Sequence, residues 1–271
     1  MTAYLITVSA IFGLLLGSFL NALAYRLPRK ESLMTRSHCT QCFKQIRAWE
    51  NIPVLSWLAL RGKCSQCKKP ISIQYPLIEL FVSATFAGLM WQATRIAPPL
   101  DSIAATLIVA LLFFSFAFVG VLIALIDLKT MTIPTKAVWI GLAVALVALL
   151  GYLLITGDWQ RVVQALIASV VVSAVYFTIW FFKSSALGYG DVRLSVFIGL
   201  VLGFVSPGVV VLGFFLPWVL AMIWLFPSLV KRKLSRKDKV PLGPWLVLGT
   251  LIAIVFGDIV VKLYLQLGSY S

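Results

Sequence analysis

The chain has 271 residues, is 61% hydrophobic and 12% charged, and carries a formal net charge of +14 from 23 Lys/Arg against nine Asp/Glu. A mean hydropathy of +1.00 excludes a soluble globular domain and predicts an all-α polytopic membrane protein. The pI near 9.9 calls for no nucleic-acid partner, because membrane lipid contact and topology account for it.

Residues 3–25 form the first apolar run long enough to span, at about 20 residues. Ala22-Leu23-Ala24 imitates a signal cleavage site, but no basic residue precedes the run, and Arg26, Arg29 and Lys30 follow it. That is the reverse of a secretory signal, so the run reads as an anchor helix. Gly13 and Gly17 make a GxxxG pair. It either packs against another helix or is simply two small residues.

The polar segment 26–75 holds all four cysteines, in Cys39-Thr40-Gln41-Cys42 and Cys64-Ser65-Gln66-Cys67, with 21 residues between the pairs. Two C-x-x-C knuckles at this spacing suit tetrahedral Zn²⁺, with sulfur–metal bonds of about 2.3 Å. A segment of about 50 residues builds little core of its own, so a metal staple is physically reasonable. Four cysteine ligands close the coordination shell, which makes such a metal structural. Disulfides are the competing reading, and a cytoplasmic location opposes them. The one histidine, His38, adjoins the first ligand and reads as a neighbour. Arg61, Lys68 and Lys69 could belong to a nucleic-acid-binding ribbon, but topology alone already predicts a basic loop here.

Further spans are predicted near 76–94, 102–126, 137–156 and 162–182. The stretch from Leu194 to Val230 is too long for one, and splits at Ser206-Pro207-Gly208 because Pro and Gly punctuate helices. A last span falls near 243–267. The prediction is therefore about eight transmembrane helices, with a small zinc-binding domain between the first and second. Of the 23 basic residues, 20 fall in 26–75, 127–136, 183–193 and 231–239. All four segments lie on one side of an eight-helix chain. The positive-inside rule makes that side cytoplasmic and puts both the N-terminus and the C-terminus outside.

Acids are rare enough to sort individually. Glu31, Glu50 and Asp238 fall in cytoplasmic segments, and Asp101 and Asp158 in short external loops. Asp258 has Lys262 four residues on, a helical ion-pair spacing. Glu79, Asp127 and Asp191 remain, all near cytoplasmic helix ends, and an ionisable group there is a functional candidate. Asp127 closes Ala124-Leu125-Ile126-Asp127; Asp191 closes Gly188-Tyr189-Gly190-Asp191, whose glycines let the backbone leave the helix path just before the acid. Two neighbouring carboxylates share one proton across neutral pH. The ionised one can deprotonate water while the protonated one polarises a peptide carbonyl. No Ser/His/Asp or Cys/His set is available, and Gly188-x-Gly190 lacks the rest of a phosphate-cradling loop. The residues alone also allow two helix-end markers, or proton-carrying acids of a transporter, although transport would want acids through the bilayer depth.

In order, the chain carries Gly17-Ser18-Phe19-Leu20-Asn21, Arg26-Leu27-Pro28, the two cysteine pairs, Asn51-Ile52-Pro53, Leu60-Arg61-Gly62-Lys63-Cys64 and Tyr75-Pro76-Leu77-Ile78-Glu79-Leu80. Asp127 with Ile133-Pro134, and Gly188-Tyr189-Gly190-Asp191, follow. With this set the chain resembles the bacterial prepilin peptidases, GxGD-type aspartic proteases of the inner membrane. The resemblance implies removal of the basic leader of type IV prepilins or type II secretion pseudopilins at the cytoplasmic membrane face. In many members it also implies N-methylation of the new N-terminus with S-adenosyl-L-methionine. Asp127 and Asp191 would then be the catalytic pair, Gly188 and Gly190 the active-site loop, and Cys39, Cys42, Cys64 and Cys67 the zinc ligands. Asn21, Arg61 and Glu79 are candidates for methyl transfer.

The implied division is 1–25 as the first membrane helix, 26–75 as a methyltransferase-associated, four-cysteine zinc-binding domain, and 76–271 as the peptidase. The family often has an acid where Thr135 stands and a lysine where Arg193 stands, and both aspartates survive these departures. Gln74 replaces a common arginine in the region linked to methylation, which keeps a peptidase-only alternative open. The resemblance implies no particular pilin and no oligomeric state.

Overall fold

In the lipid-like interior of this chain, backbone groups have only one another for partners, so apolar runs become helices. The computed structural model describes residues 1–33, 35–98, 100–184, 187–230 and 241–268. Its α-helices are α1 (Thr2–Arg26), α2 (Leu55–Ala59), α3 (Gln74–Ile96), α4 (Ile103–Thr130), α5 (Thr135–Thr156), α6 (Trp159–Phe182), α7 (Tyr189–Val205), α8 (Pro207–Val230) and α9 (Gly243–Gly268). Two short 3₁₀ turns, Leu27–Arg29 and Ala48–Asn51, complete it. Among the described residues there is no strand, only the isolated bridges His38–Gln45 and Lys63–Pro70.

The eight expected long helices are all present, and seven are long and apolar enough to cross a membrane. The exception is α7, whose 17 residues reach about 26 Å at 1.5 Å each, slightly less than the roughly 30 Å hydrocarbon layer. The expected break falls where it should: Ser206 is extended and Pro207 opens α8. Two boundaries differ from expectation. The helix starts at Tyr189, between the two glycines and five residues before Leu194, so Asp191 lies inside the first helical turn. Likewise α4 continues three residues past Asp127. The basic cluster 231–239, with Asp238, lies outside the described residues.

The chain divides into two compact units, Met1–Met90 and Trp91–Ser271. In the first, α1 and α3 approach closely along the GxxxG pair. A Cβ on Gly17 would lie 2.7 Å from Glu79 Cα, and one on Gly13 would lie 2.8 Å from Ser83 Cα. The small residues are therefore a packing face, as such pairs often are. Ser83 Oγ donates to the Ala10 carbonyl at 2.8 Å, and Asn21 Nδ2 to the Tyr75 carbonyl at 3.2 Å. Arg26, buried at the end of α1, donates to the carbonyls of Ser32, Leu33, Thr35 and Arg36 and so fixes the chain's exit from the helix.

In the second unit α4 is the most deeply buried of the seven candidate spans. Its Phe116 meets Phe197 of α7 edge to face at 5.1 Å, an arrangement that satisfies the ring quadrupoles. The α6–α7 pair is tighter still, because a Cβ on Gly199 would stand 2.6 Å from Ser169 Cα. Asp158 caps α6 by accepting the Arg161 N–H at 3.1 Å. Asp258 forms the expected ion pair with Lys262 at 3.2 Å and a longer one with Arg95 at 3.9 Å.

Candidate active site and metal centre

Among residues 26–75, the two knuckles are built alike. Cys39 N–H donates to the Lys44 carbonyl and Phe43 N–H to the Cys39 carbonyl; Cys64 N–H donates to Lys69 and Lys68 N–H to Cys64 in the same pattern. Phe43 and Lys68 occupy the same place in each loop and both take positive φ, 57° and 60°. These turns aim the four sulfurs at one point, all within 4.8 Å of one another, with Cys39 Sγ and Cys67 Sγ 4.0 Å apart. Tetrahedral thiolates at about 2.3 Å from a metal would be about 3.8 Å apart, so the donor set fits one ion.

The thiols are free. N–H groups of Cys67 and Gln66 hold the Cys64 thiol down at about 7. Cys67 receives the Lys69 N–H, but desolvation and the three neighbouring sulfurs outweigh it and push that thiol up to about 11. Clustered thiolates repel, which a bound cation relieves. His38 is not among the clustered ligands and stacks on Phe43 instead, with ring centroids 6.0 Å apart.

In the second unit the structure brings Asp127 and Asp191 together. Asp127 projects from the last turn of α4 and Asp191 from the first turn of α7. Both are buried, and Asp191 lies within electrostatic reach of Asp127. Each carboxylate is oriented by one backbone donor. Gly188 N–H reaches Asp191 Oδ2 at 3.1 Å, a reciprocal cap in which an acid at the third helical position serves the residue ahead of the helix. Gly243 N–H reaches Asp127 Oδ2 at 3.1 Å from the start of α9. Among the described residues Oδ1 of each acid has no protein partner, which leaves it for a reacting group. Gly190 sits against Ile133, where a Cβ would come within 2.9 Å of Ile133 Cβ. The two glycines thus do separate jobs: Gly188 supplies a donor, and Gly190 admits the loop that carries Ile133-Pro134.

The two departures from the resembled pattern meet in space. Arg193 Nη1 donates to Thr135 Oγ1 at 2.7 Å, and the guanidinium lies 4.5 Å above the Tyr189 ring. The arginine reaches the hydroxyl and so links α5 to α7 without an acid.

Two site residues were missed by sequence reasoning. Gly243 has no room for a side chain, since its Cβ would be 2.8 Å from Asp127 Oδ2; the turn signal Pro241-Leu242-Gly243-Pro244 ahead of an apolar run could have marked it. Tyr176 of α6 is fully buried between Phe214 and Trp218, within electrostatic reach of Asp191. Nothing in its apolar stretch singles it out.

Glu79 belongs to the first unit and is committed there. Its Oε2 accepts the Val54 N–H at 2.7 Å, and the Ser18 hydroxyl donates to the same carboxylate. Asn21 is likewise committed to Tyr75, while Arg61 is exposed with φ 51°. Asn21 and Glu79 thus brace the first unit through these hydrogen bonds.

Comparison with known proteins finds two family regions along the chain. A Bacterial Peptidase A24 N-terminal domain matches residues 11–93, and the Type IV leader peptidase family matches residues 114–230. A relative from Pseudomonas putida named Prepilin leader peptidase/N-methyltransferase is 32% identical, covering 98% of this chain and 95% of its own. Relatives of the same name from Stutzerimonas stutzeri and Aeromonas hydrophila are 31% and 32% identical, each covering 94% of this chain and 92% of their own. No solved structure matches. With full-length similarity of this order and both family regions in sequence, the chain belongs to the type IV leader peptidase family.

Proposed function

We propose that the chain is a prepilin leader peptidase and N-methyltransferase of the bacterial inner membrane, cleaving with Asp127 and Asp191. The observation that carries the peptidase reading is the buried acid pair, each member held by a single backbone N–H with one oxygen spare. One carboxylate is ionised and takes a proton from water as the oxygen attacks the scissile carbonyl. The other, protonated, donates a hydrogen bond to that carbonyl. Collapse of the tetrahedral intermediate breaks the C–N bond, and the proton passes to the leaving amine. Water is consumed and the pair returns to its one-proton state.

Type IV prepilins and type II secretion pseudopilins suit this site because their leader meets an apolar helix. A helix in the bilayer presents that junction at the depth of α4's last turn. The charge pattern supports a cytoplasmic active face with both termini outside. The four cysteines would hold Zn²⁺, whose tetrahedral preference and affinity for thiolate match the donor set. When bound it staples residues 26–75. That module, with its membrane helices, serves methylation with S-adenosyl-L-methionine as donor, and residues 76–271 serve cleavage.

The test is mass spectrometry of a synthetic prepilin treated with the purified full-length chain and S-adenosyl-L-methionine. The expected product lacks the leader and is heavier by one methyl group. Cleavage without methylation would leave a peptidase alone; an intact substrate would overturn the reading.

A further inference from the structure

Within the first unit, Trp49, Ile52, Leu55 and Leu58 recur every third residue and are 49%, 46%, 65% and 58% exposed. They run through the 3₁₀ turn Ala48–Asn51, the extended Ile52 and the short helix α2, and their exposure is what groups them. Their neighbours turn the other way: Trp57 Nε1 donates to the Ile71 carbonyl at 3.1 Å, and its ring lies where a Cβ on Gly62 would be. Four large apolar side chains left exposed by a segment with its own inner face form a strip without a partner among the described residues.

The depth of this strip is set by Val54. This β-branched residue has φ 61° and ψ −51°, and Leu55 N–H closes a three-residue turn on the Pro53 carbonyl at 2.6 Å. That is the rare, positive-φ γ-turn, a conformation a valine adopts only when its surroundings demand it. The demand comes from Glu79, whose Oε2 takes the Val54 N–H at 2.7 Å. Glu79 is five residues into α3, about 8 Å along the helix at 1.5 Å per residue. The strip is therefore pinned beside the second turn of a membrane-crossing helix. Leu77, Leu80 and Phe81 are exposed in the same first turns of α3.

Charge identifies the occupant. Residues 26–75 contain ten Lys/Arg and two acids, and Arg47, Arg61 and Lys63, which flank the strip, are all exposed. Apolar side chains at interfacial depth with a basic rim are the pattern of an interfacial anchor in an anionic leaflet. We infer that the strip Trp49-Ile52-Leu55-Leu58 inserts into the headgroup–acyl boundary of the same membrane, so that the cysteine module lies on anionic lipid. Glu79 is then a positioning residue that holds the strip down. The inference needs α1 and α3 to cross the bilayer and is independent of the cleavage chemistry.

The experiment places a photocrosslinker at the strip in the full-length chain, as Leu58→p-benzoylphenylalanine, in vesicles of phosphatidylethanolamine with phosphatidylglycerol. The expected photoproduct is a single chain carrying one phospholipid. A crosslink to a second copy, to another segment of the same chain or to added prepilin would overturn the inference, as would no adduct. Hydrogen exchange of residues 49–59 supplies a second reading. Protection should be greater with phosphatidylglycerol than with phosphatidylcholine alone, and Arg47→Gln or Arg61→Gln should each lower the anionic preference by about fivefold. Leu55→Asp/Leu58→Asp should remove the protection while the four-cysteine module still takes up Zn²⁺. Equal protection in both lipids would overturn the anionic assignment.

Discussion

The cysteine module and the aspartate pair assemble their side chains by opposite routes. In the module each pair of cysteines comes from one short loop, and the same turn is used twice, with Phe43 and Lys68 in matching left-handed positions. A metal can then unite the two knuckles without help from distant helices. The acids are 64 positions apart in sequence, and the donor that orients Asp127 comes from residue 243, 116 positions away. Local chemistry suffices for the first site. The second exists only when α4, α7 and α9 are packed.

The largest effect expected from this contrast is on metal removal. Cys39→Ser/Cys64→Ser should reduce about one bound Zn²⁺ per chain to none, measured by metal analysis. Structural zinc contributes about 10–16 kcal/mol at pH 7, so residues 26–75 should become sensitive to limited proteolysis. Loss of protease resistance in the helices of 91–271 as well would break the comparison. Because thiolate ligands must shed protons, Zn²⁺ retention should also weaken as pH falls; retention independent of pH would argue against a four-thiolate site.

Next come the acids. Asp127→Asn and Asp191→Asn should each lower cleavage by about 10²–10⁴-fold, the scale of general acid–base contributions, while metal content stays unchanged. Substantial cleavage by either variant would sink the dyad.

Gly243→Ala tests long-range assembly directly. Its Cβ would stand 2.8 Å from Asp127 Oδ2, and overpacking costs about 1–3 kcal/mol. Cleavage should drop about ten- to hundredfold with the metal site intact; wild-type activity would show that the Gly243 donor does not orient the acid. Smallest is Asp158→Ala, which removes the α6 cap. It should cost about 1 kcal/mol in thermal unfolding and leave the cleavage rate of folded enzyme unchanged.

Much of this was legible before folding. The apolar runs, the Ser206–Pro207 break and the Asp258–Lys262 pair follow from composition and helical spacing, which act over a few residues. So do the two knuckles. The GxxxG of α1 was ambiguous until Glu79 and Ser83 were seen against it, because a small residue announces room and does not name what fills it. Glu79 was marked by its rarity, but its hydrogen bonds to Val54 and Ser18 could not be read from the sequence. The start of α7 was placed late because glycines read as helix breakers, whereas Asp191 caps Gly188 and lets the helix begin before it.

By itself the sequence determined the class of protein, the helices, the two cysteine loops and the short list of acids. Those depend on hydrophobicity, period and spacing along one stretch of chain. Only the tertiary structure decided that Asp127 and Asp191 come together, that Gly243 orients one of them, and that Arg193 reaches Thr135. Contacts between distant segments depend on how helix surfaces interlock, and close packing leaves no trace in the periodicity of either partner.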